Sequence, residues 1–330
     1  MNKKKLINFF QVGEFAKISS YAIKLDLRKF IDPEVLKICG LAFFRLNKYD
    51  QSIRFLKLYL LNKFDNEINY YVSQSYFLLN KFNLCLEQIE KFPLKEKTNN
   101  ISIVSLRANA YLKNNQVKDA LITIESLEKE IEISDPQFLF QAGYIAANNR
   151  EFKKAIIYYL KSLSIDKANQ LTKYNLGVAY AQNKNMSEAL KYLDQVKSNE
   201  LQNLVEMKKG AIFHEIEQYE DAIRCYEAVL KQSYNQEILF NLALVQIDKG
   251  DYERAIRSLD SCIDHNKDNL DAYFEKARLF KATNRIKDHD GLIKIIQQKN
   301  PNYSQLNENK WTTKLNNGDI KNAFNTLYAS

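Results

Sequence analysis

Apolar residues recur along this chain at the spacing of amphipathic helices, and the whole pattern returns about every 34 residues. The stretch 249–263 contains one example: Gly250 permits a tight turn and Asp251 is suited to cap the helix that follows. This helix carries its apolar and small residues on one face: Tyr252, Ala255, Ile256 and Leu259. The apolar residue after the turn recurs at intervals of 33 to 35 residues: Phe15, Tyr49, Phe82, Val117, Phe152, Met186, Tyr219, Tyr252, Ile286 and Ile320.

Small residues stand at two fixed positions of this pattern. Three residues after the post-turn position lie Ser52, Cys85, Ala120, Ala155, Ala189, Ala222, Ala255 and Ala323, whereas Ile18 and His289 depart from the rule. Nine residues before it lie Gly40, Ser73, Ala108, Gly143, Gly177, Gly210, Ala243 and Ala277. A bulky residue follows seven residues after the post-turn position, as at Leu56, Tyr159 and Tyr226. Small against bulky side chains let two helices pack at close range, so the pattern predicts pairs of interlocked helices.

A 34-residue helix–turn–helix with small residues at positions 8 and 20 and bulky ones at 11 and 24 resembles the tetratricopeptide repeat. The likeness is best in NLGVAY (175–180) and GAIFHEIEQYEDAIRCYEAVL (210–230). It implies an all-α fold, a right-handed superhelical solenoid of antiparallel helix pairs. Ten units in register cover the chain as one continuous solenoid over 1–330: 1–32, 33–65, 66–100, 101–135, 136–169, 170–202, 203–235, 236–269, 270–303 and 304–330.

The ends and the third repeat give more local expectations. Residues 3–12 and 14–31 are predicted to form the first helix pair, and the segment 92–100 a loop, because Pro93 disfavours a continuing helix. The unit 304–330 has a polar first helix, as the end of a solenoid requires. We therefore interpret it as a cap, with Trp311 as a plug over the core.

Charge and cysteine content change this picture little. The net charge of +8 is uneven, because residues 1–100 hold 17 Lys and Arg against 10 Asp and Glu, while residues 101–330 hold 31 against 30. The basic N-terminal third could attract an acidic partner, nucleic acid or an anionic membrane surface. The alternative, a solvated lysine-rich surface, is favoured over all three of these roles because the lysines are dispersed. Four scattered cysteines are interpreted as buried free thiols.

No motif for catalysis, a cofactor or a metal is found in the sequence. It has no phosphate-binding glycine loop and no GxSxG or HExxH motif, and His214, His265 and His289 are too far apart to suggest zinc. No apolar run reaches the roughly 20 residues of a membrane helix, and the N-terminus lacks a cleavage site. We therefore expect a non-enzymatic cytoplasmic protein without a membrane span.

A surface on the first helices remains as the candidate site. The resemblance implies that the first helix of each repeat lines a concave groove, with position 5 facing it and position 6 within reach. Position 5 is apolar over five repeats, and polar residues accompany it, so we expect a stripe that binds a peptide or helix: Phe140, Gln141, Tyr144, Tyr174, Asn175, Met207, Lys208, Phe240, Asn241 and Phe274. The reasoning assumes that position 5 has no packing role, and the alternative is that these rings belong to the core.

Three roles stay open at this point. The first is a scaffold or adaptor that binds a protein segment in the groove, and the second is a structural subunit of a larger assembly, such as a motility or secretion apparatus. The third is a regulatory partner of a separately encoded enzyme. Asn175, Lys208 and Asn241 are similar to the residues with which some members of the family grip a terminal carboxylate, but position 9, as at Ala211, departs from that set.

Overall fold

All secondary structure in the computed structural model is helical over the residues it describes, 3–27, 29 and 31–301. The contacts divide the chain into two compact units, Met1–Asn185 and Met186–Ser330. The first unit contains α1 (Lys3–Gln11), α2 (Phe15–Ala22), α3 (Pro33–Arg45), α4 (Tyr49–Leu60), α5 (Asn66–Leu78), α6 (Phe82–Ile89), α7 (Leu94–Asn99), α8 (Ile101–Lys113), α9 (Val117–Glu128), α10 (Pro136–Asn148), α11 (Phe152–Ile165) and α12 (Gln170–Gln182). The second contains α13 (Met186–Leu193), a 3₁₀ turn (Asn199–Leu201), α14 (Gln202–Glu215), α15 (Tyr219–Leu230), α16 (Gln236–Lys249), α17 (Tyr252–His265), α18 (Leu270–Ala282) and α19 (Ile286–Lys299).

The helices follow the register of the repeats. Within each unit, the first helix of a repeat packs on its second helix, which in turn packs on the first helix of the next repeat, as α10, α11 and α12 do. The all-α repeat fold is thus confirmed. The boundary between the two units falls inside the repeat 170–202, so one continuous solenoid over 1–330 stays a prediction. The cap 304–330 and its Trp311 lie outside the described residues.

Each first helix from α3 onward, α14 excepted, begins at an Asp or Asn whose side chain caps it. Asp135 Oδ1 accepts hydrogen bonds from the backbone N–H groups of Gln137 and Phe138 at 2.8 and 3.1 Å. The same cap is formed by Asp32, Asp65, Asn100, Asn169, Asn235 and Asn269. Such a cap satisfies backbone donors that the helix leaves unpaired, so each repeat specifies its own helix start.

A left-handed residue ends each of these first helices. Gly250 has φ +87° and closes α16, which confirms the turn predicted from the sequence. The equivalent residue has positive φ in every other repeat from the second to the ninth, although none is glycine: Asn47, Asn80, Asn115, Arg150, Lys184, Glu217 and Asn284. Asparagine tolerates this conformation well, while longer side chains do so at a cost in energy. The turn is therefore conserved in shape through the repeats but not in residue type.

Glycine at position 8 makes room for a bulky residue of the second helix. A Cβ atom on Gly143 would lie 2.6 Å from Cε1 of Tyr159, and one on Gly210 would lie 2.6 Å from Cε1 of Tyr226. Both tyrosines are almost completely buried. The predicted small-against-bulky pairing is thus observed directly, and at these two repeats the ring occupies the volume that a larger position-8 residue would need.

Two local predictions are wrong. Residues 94–99 form the short helix α7 rather than a loop, because Pro93 lies just before its first residue, where a missing N–H is harmless. The segment is tied down by Glu90, which pairs with Lys97 and Arg107 at 2.7 and 3.1 Å. The second helix of the first repeat ends at Ala22 and does not reach residue 31, since the N–H groups of Lys24 and Leu25 bond three residues back in tight turns.

The core also contains the four cysteines, and the ninth repeat has a histidine at a position that is small in most repeats. All four cysteines are free and buried as predicted, and burial raises the pKa of Cys39 and Cys85 to about 12. His289 occupies a position that is small in other repeats, and its Nδ1 lies 3.0 Å from the carbonyl oxygen of Ala277. A polar contact between α18 and α19 therefore replaces the close apolar packing of the other pairs.

Candidate protein-binding surface

The predicted stripe lies on the first helices of five repeats, divided between the two units. Phe140, Gln141 and Tyr144 are on α10 and Tyr174 and Asn175 are on α12, both in the first unit. In the second unit, α14 carries Met207 and Lys208, α16 carries Phe240 and Asn241, and α18 carries Phe274. Each unit therefore presents its own part of the predicted surface.

In the first unit, the three rings differ in exposure. The Phe140 ring is half-buried and lies 5.8 Å, centroid to centroid, from the ring of Tyr159 on the second helix of its repeat. Tyr174 is half-buried as well, and this burial raises the pKa of its phenol. Tyr144 keeps 45% of its surface exposed. Tyr144 is thus the ring best placed for contact with another molecule.

The two amides of the first unit already have partners inside the protein. Gln141 Nε2 donates to the carbonyl oxygen of Ser105 at 2.9 Å, and the Ser105 hydroxyl donates back to Gln141 Oε1. Asn175 Nδ2 donates to the Leu171 carbonyl oxygen at 2.9 Å within its own helix. Gln141 therefore links α8 to α10, and only the Asn175 Oδ1 atom remains without a hydrogen bond inside the described part of the chain.

In the second unit, the apolar residues of the stripe contribute to the core. Met207 packs against a buried cluster that includes Ala222 and Tyr226. Phe240 packs against the neighbouring cluster, and Phe274, at 9% exposure, belongs to that cluster itself. The assumption that position 5 has no packing role is wrong in the second unit, because these side chains pack against the buried clusters or belong to them.

Two polar residues of the second unit have no partner among the residues that the structure describes. Asn241 is half-buried, and its amide forms no hydrogen bond with any described residue. Lys208 is exposed and forms no ion pair within the same part of the chain. Both stand directly after a position-5 residue, Met207 for the lysine and Phe240 for the asparagine. This combination of an apolar surface, a free amide and a free ammonium is suited to hold a peptide segment.

Two contacts between titratable side chains on the same first helices were not predicted. His214 Nε2 lies 2.7 Å from Asp248 Oδ2, joining α14 to α16. On α18, Glu275 Oε2 lies 2.9 Å from Arg278 Nη1, and burial raises the pKa of Glu275 to about 7. Glu275 falls at position 6 of its repeat, and only the fold reveals that its carboxyl group is buried. His214 and Asp248 fall at positions 12 and 13, whose spacing could have indicated their approach.

Other classes of site are not apparent in the part of the chain that the structure covers. Across residues 3–27, 29 and 31–301, no group of three or more His, Cys, Asp or Glu side chains could hold a metal ion. Among the same residues, no helix is both long and apolar enough to cross a bilayer.

Family models and curated relatives agree with this repeat architecture. Models described as tetratricopeptide repeat match residues 136–169 and 172–203, and a second set matches 215–261 and 240–288. The RNA polymerase-associated protein CTR9 of Saccharomyces cerevisiae is 23% identical over 81% of this chain and 24% of its own length. The TPR repeat-containing protein MJ1428 of Methanocaldococcus jannaschii is 24% identical over 79% of this chain and 43% of its own length. The chain thus spans less than half of either relative.

Two solved structures share the fold. The C-terminal part of a TPR repeat-containing protein from Cytophaga hutchinsonii superposes with a TM-score of 0.60 at 14% identity, over 72% of this chain and 98% of that one. A tetratricopeptide repeat protein from Parabacteroides merdae gives a TM-score of 0.54 at 15% identity, over 75% and 98%. At this identity the likeness concerns the fold alone.

Proposed function

Because this chain is a tetratricopeptide repeat protein, we propose that it is a non-enzymatic scaffold that binds segments of partner proteins on its first helices. The repeat family supports a protein–protein interaction scaffold in general terms. The particular surface, the first helices of the second unit, rests on the side chains described above.

The observation that carries this proposal is that two polar residues next to position-5 side chains, Asn241 and Lys208, have no partner among the described residues. A half-buried amide without a hydrogen bond, as in Asn241, is costly unless water or a ligand satisfies it. A peptide backbone supplies both a donor and an acceptor, and therefore matches both ends of that amide. Phe240 offers apolar area beside it, and Lys208 offers a charge for a carboxylate of the partner.

The surface favours an extended segment with apolar side chains and at least one carboxylate. Half-buried rings provide area that is already held rigid by the core, so little conformational entropy is lost when a ligand covers them. In the first unit, Tyr144 provides an exposed ring and the free Oδ1 of Asn175 provides a hydrogen-bond acceptor, so two residues there could contact the same kind of segment.

The test is capture of partners from an extract of the source cells by the immobilised full chain and its variants. Lys208→Glu and Asn241→Ala alter the proposed surface without touching a fully buried residue, and Lys231→Glu is a control with the same charge change on an exposed residue beyond α15. We expect wild type and the control to retain the same partner, and the two surface variants to lose most of it. If all four proteins capture the same amount of the partner, the first helices of the second unit are not the binding surface.

The alternative role, a subunit of a larger assembly, gains some support from the yeast relative, whose name describes it as associated with RNA polymerase. That role predicts a complex of fixed stoichiometry that survives gel filtration and is insensitive to the Lys208 and Asn241 variants. A regulatory partner of a separate enzyme would instead change the turnover of an enzyme captured with it.

A further inference from the structure

An open cavity of about 720 Å³ lies in the first unit, between α4, the loop after it, α5 and the end of α6. Its size is within the range of ligand pockets. Three kinds of residue line it, namely apolar, cationic and amide residues: Leu27, Leu58, Leu60, Leu61 and Phe64; Arg54, Lys57 and Lys91; Asn69 and Gln88. None of these residues belongs to the surface proposed above.

The apolar part of the lining is unusually open to solvent. Leu61 keeps 82% of its surface exposed and Phe64 keeps 49%, and they stand three residues apart beside the half-buried Leu58 and Leu60. A contiguous apolar patch of this kind, rimmed by polar residues, marks a place where another molecule binds.

The rim of the cavity carries three cations without anionic partners. Lys57 Nζ donates to the Tyr76 hydroxyl at 3.2 Å and Lys91 Nζ donates to Gln88 Oε1 at 2.9 Å. Neither these lysines nor Arg54 forms an ion pair with a carboxylate of the described residues. The cavity therefore concentrates positive charge around an apolar interior.

The neighbouring repeats show that this arrangement is a local departure. Eight residues after the post-turn position, where this repeat has Lys57, three other repeats have an acid that pairs with a base on the next first helix. Glu90 pairs with Arg107 at 3.1 Å, Asp194 with Lys209 at 2.7 Å, and Asp260 with Lys276. The second repeat has Lys57 in place of this acid, and Lys57 forms no ion pair with a described residue.

The floor of the cavity is polar and built from buried side chains. Asn69 and Gln88 are 0% and 3% exposed, and the Gln88 Nε2 group donates to Asn69 Oδ1. Gln88 Oε1 in turn accepts from Lys91, so the pair holds one cation of the rim in place. An acyl chain that filled this cavity would lie beside three cations that it cannot neutralise, whereas an acidic peptide brings carboxylates to them.

We propose that this cavity is a docking site for an acidic segment of a partner protein that inserts aromatic or aliphatic anchors between Leu61 and Phe64. Carboxylates flanking the anchors pair with Arg54, Lys57 and Lys91. The positive charge of the first hundred residues, +7 from 17 bases and 10 acids, assists the approach of such a segment. The proposal concerns a surface separate from the first-helix surface of the second unit, so either can fail without the other.

The experiment is a selection of dodecapeptides from a random phage-displayed library. The library is first depleted on the full-length double variant Arg54→Glu, Leu61→Asp, which removes peptides that bind any other surface, and is then selected on the wild-type chain. Both substituted residues are exposed, so the variant keeps the native core. We expect enrichment of peptides that combine two or more Asp or Glu with Phe, Trp, Leu or Ile.

Fluorescence anisotropy of one enriched peptide then measures how much the apolar and the cationic residues of the cavity each contribute to binding. Binding should weaken at least about tenfold for Leu61→Asp and for Lys91→Glu, and should be unchanged for Lys118→Glu, an exposed lysine of α9 with the same charge change. Replacing the aromatic or aliphatic anchors of the peptide by Ser should abolish binding.

Three results would overturn the proposal. No enrichment over the depleted library means that the cavity does not bind peptides. Enrichment of basic peptides, or equal binding of the Ser-substituted peptide, means that acidity and apolar anchoring are not what the site recognises. Sedimentation of the wild-type chain, but not of the Leu61→Asp variant, with vesicles of phosphatidylserine and phosphatidylcholine would assign the cavity to a membrane surface instead.

Discussion

The contact between Gly210 and Tyr226 gives the sharpest test of the packing. A Cβ atom at residue 210 would lie 2.6 Å from Cε1 of the ring and 2.9 Å from Cδ1 and Cζ. To restore ordinary van der Waals distance the ring would have to retreat by about 0.8 Å, yet Tyr226 is 2% exposed and surrounded by the core. We therefore expect Gly210→Ala to destabilise the second unit.

The magnitude follows from two opposing terms. Overpacking of a filled core costs about 1–3 kcal/mol. Replacing glycine by alanine inside a helix gains about 0.8–1 kcal/mol. The net loss should be roughly 1 kcal/mol, which lowers the midpoint of urea unfolding by about 0.3–1 M. Gly291→Ala is the matched control, because Gly291 lies within α19 with no atom within 4 Å of an added Cβ, so only the gain should be measured.

A double variant tests whether the contact between residues 210 and 226 causes this loss of stability. Gly210→Ala combined with Tyr226→Leu reproduces the Ala243 and Leu259 pair of the next repeat, both completely buried there. Its loss of stability should be smaller than the sum of the two single losses by about 1–3 kcal/mol, the coupling expected of residues in contact. Urea unfolding followed by circular dichroism measures all four variants. If Gly210→Ala raises the midpoint as much as Gly291→Ala does, the steric argument is refuted.

Four further predictions use the same measurement of unfolding. Arg150→Gly should stabilise the first unit by about 0.5–1 kcal/mol, because Arg150 has φ +60° and glycine adopts that conformation without steric cost; a lower midpoint would contradict this. Ala222→Leu should cost about 1–3 kcal/mol by overpacking, since Ala222 is 0% exposed; an unchanged midpoint would mean that the register is wrong there. Phe240→Ala should lower stability as well as partner binding, and a loss of binding alone would show that the ring has no part in the core. For Glu275, whose pKa is raised in the folded state to about 7, the folded protein holds more protons than the unfolded chain between its usual pKa of 4.5 and 7. Stability contributed by this group should therefore fall as pH rises through that window, by at most roughly 1.4 kcal/mol per pH unit, and Glu275→Gln should flatten the profile. An identical slope in the variant would assign the pH dependence to other groups.

The repeat register was readable from the sequence because it depends on residue size and local propensity. Gly143 and Gly210 opposite tyrosines and Gly250 in its turn each act through a short-range steric rule, and the structure bears out each of them. The left-handed Arg150 could not be anticipated, because its own preference opposes the conformation and the packing of the two helices imposes it.

The candidate surfaces were less predictable because exposure depends on neighbouring repeats. Position 5 reads as one apolar row, but Phe274 is buried while the amide of Asn241 is left without a partner. Likewise, Lys57 has the sequence pattern of an ordinary helix-surface lysine, and only the structure shows that three other repeats have a paired acid at its position. The role of each of these residues depends on the side chain that faces it from the neighbouring helix. The spacing of residue types along the sequence does not identify that side chain.

The caps and left-handed turns also have a consequence for how the chain folds. Within each unit, most repeats start their first helix with their own Asp or Asn, end it with their own turn, and pack mainly on adjacent repeats. Its contacts are therefore close in sequence, and chains dominated by such contacts fold quickly and can nucleate at any repeat. Hydrogen exchange should accordingly reveal separate protection levels along the chain, with opening that spreads from one repeat to the next rather than in a single cooperative step.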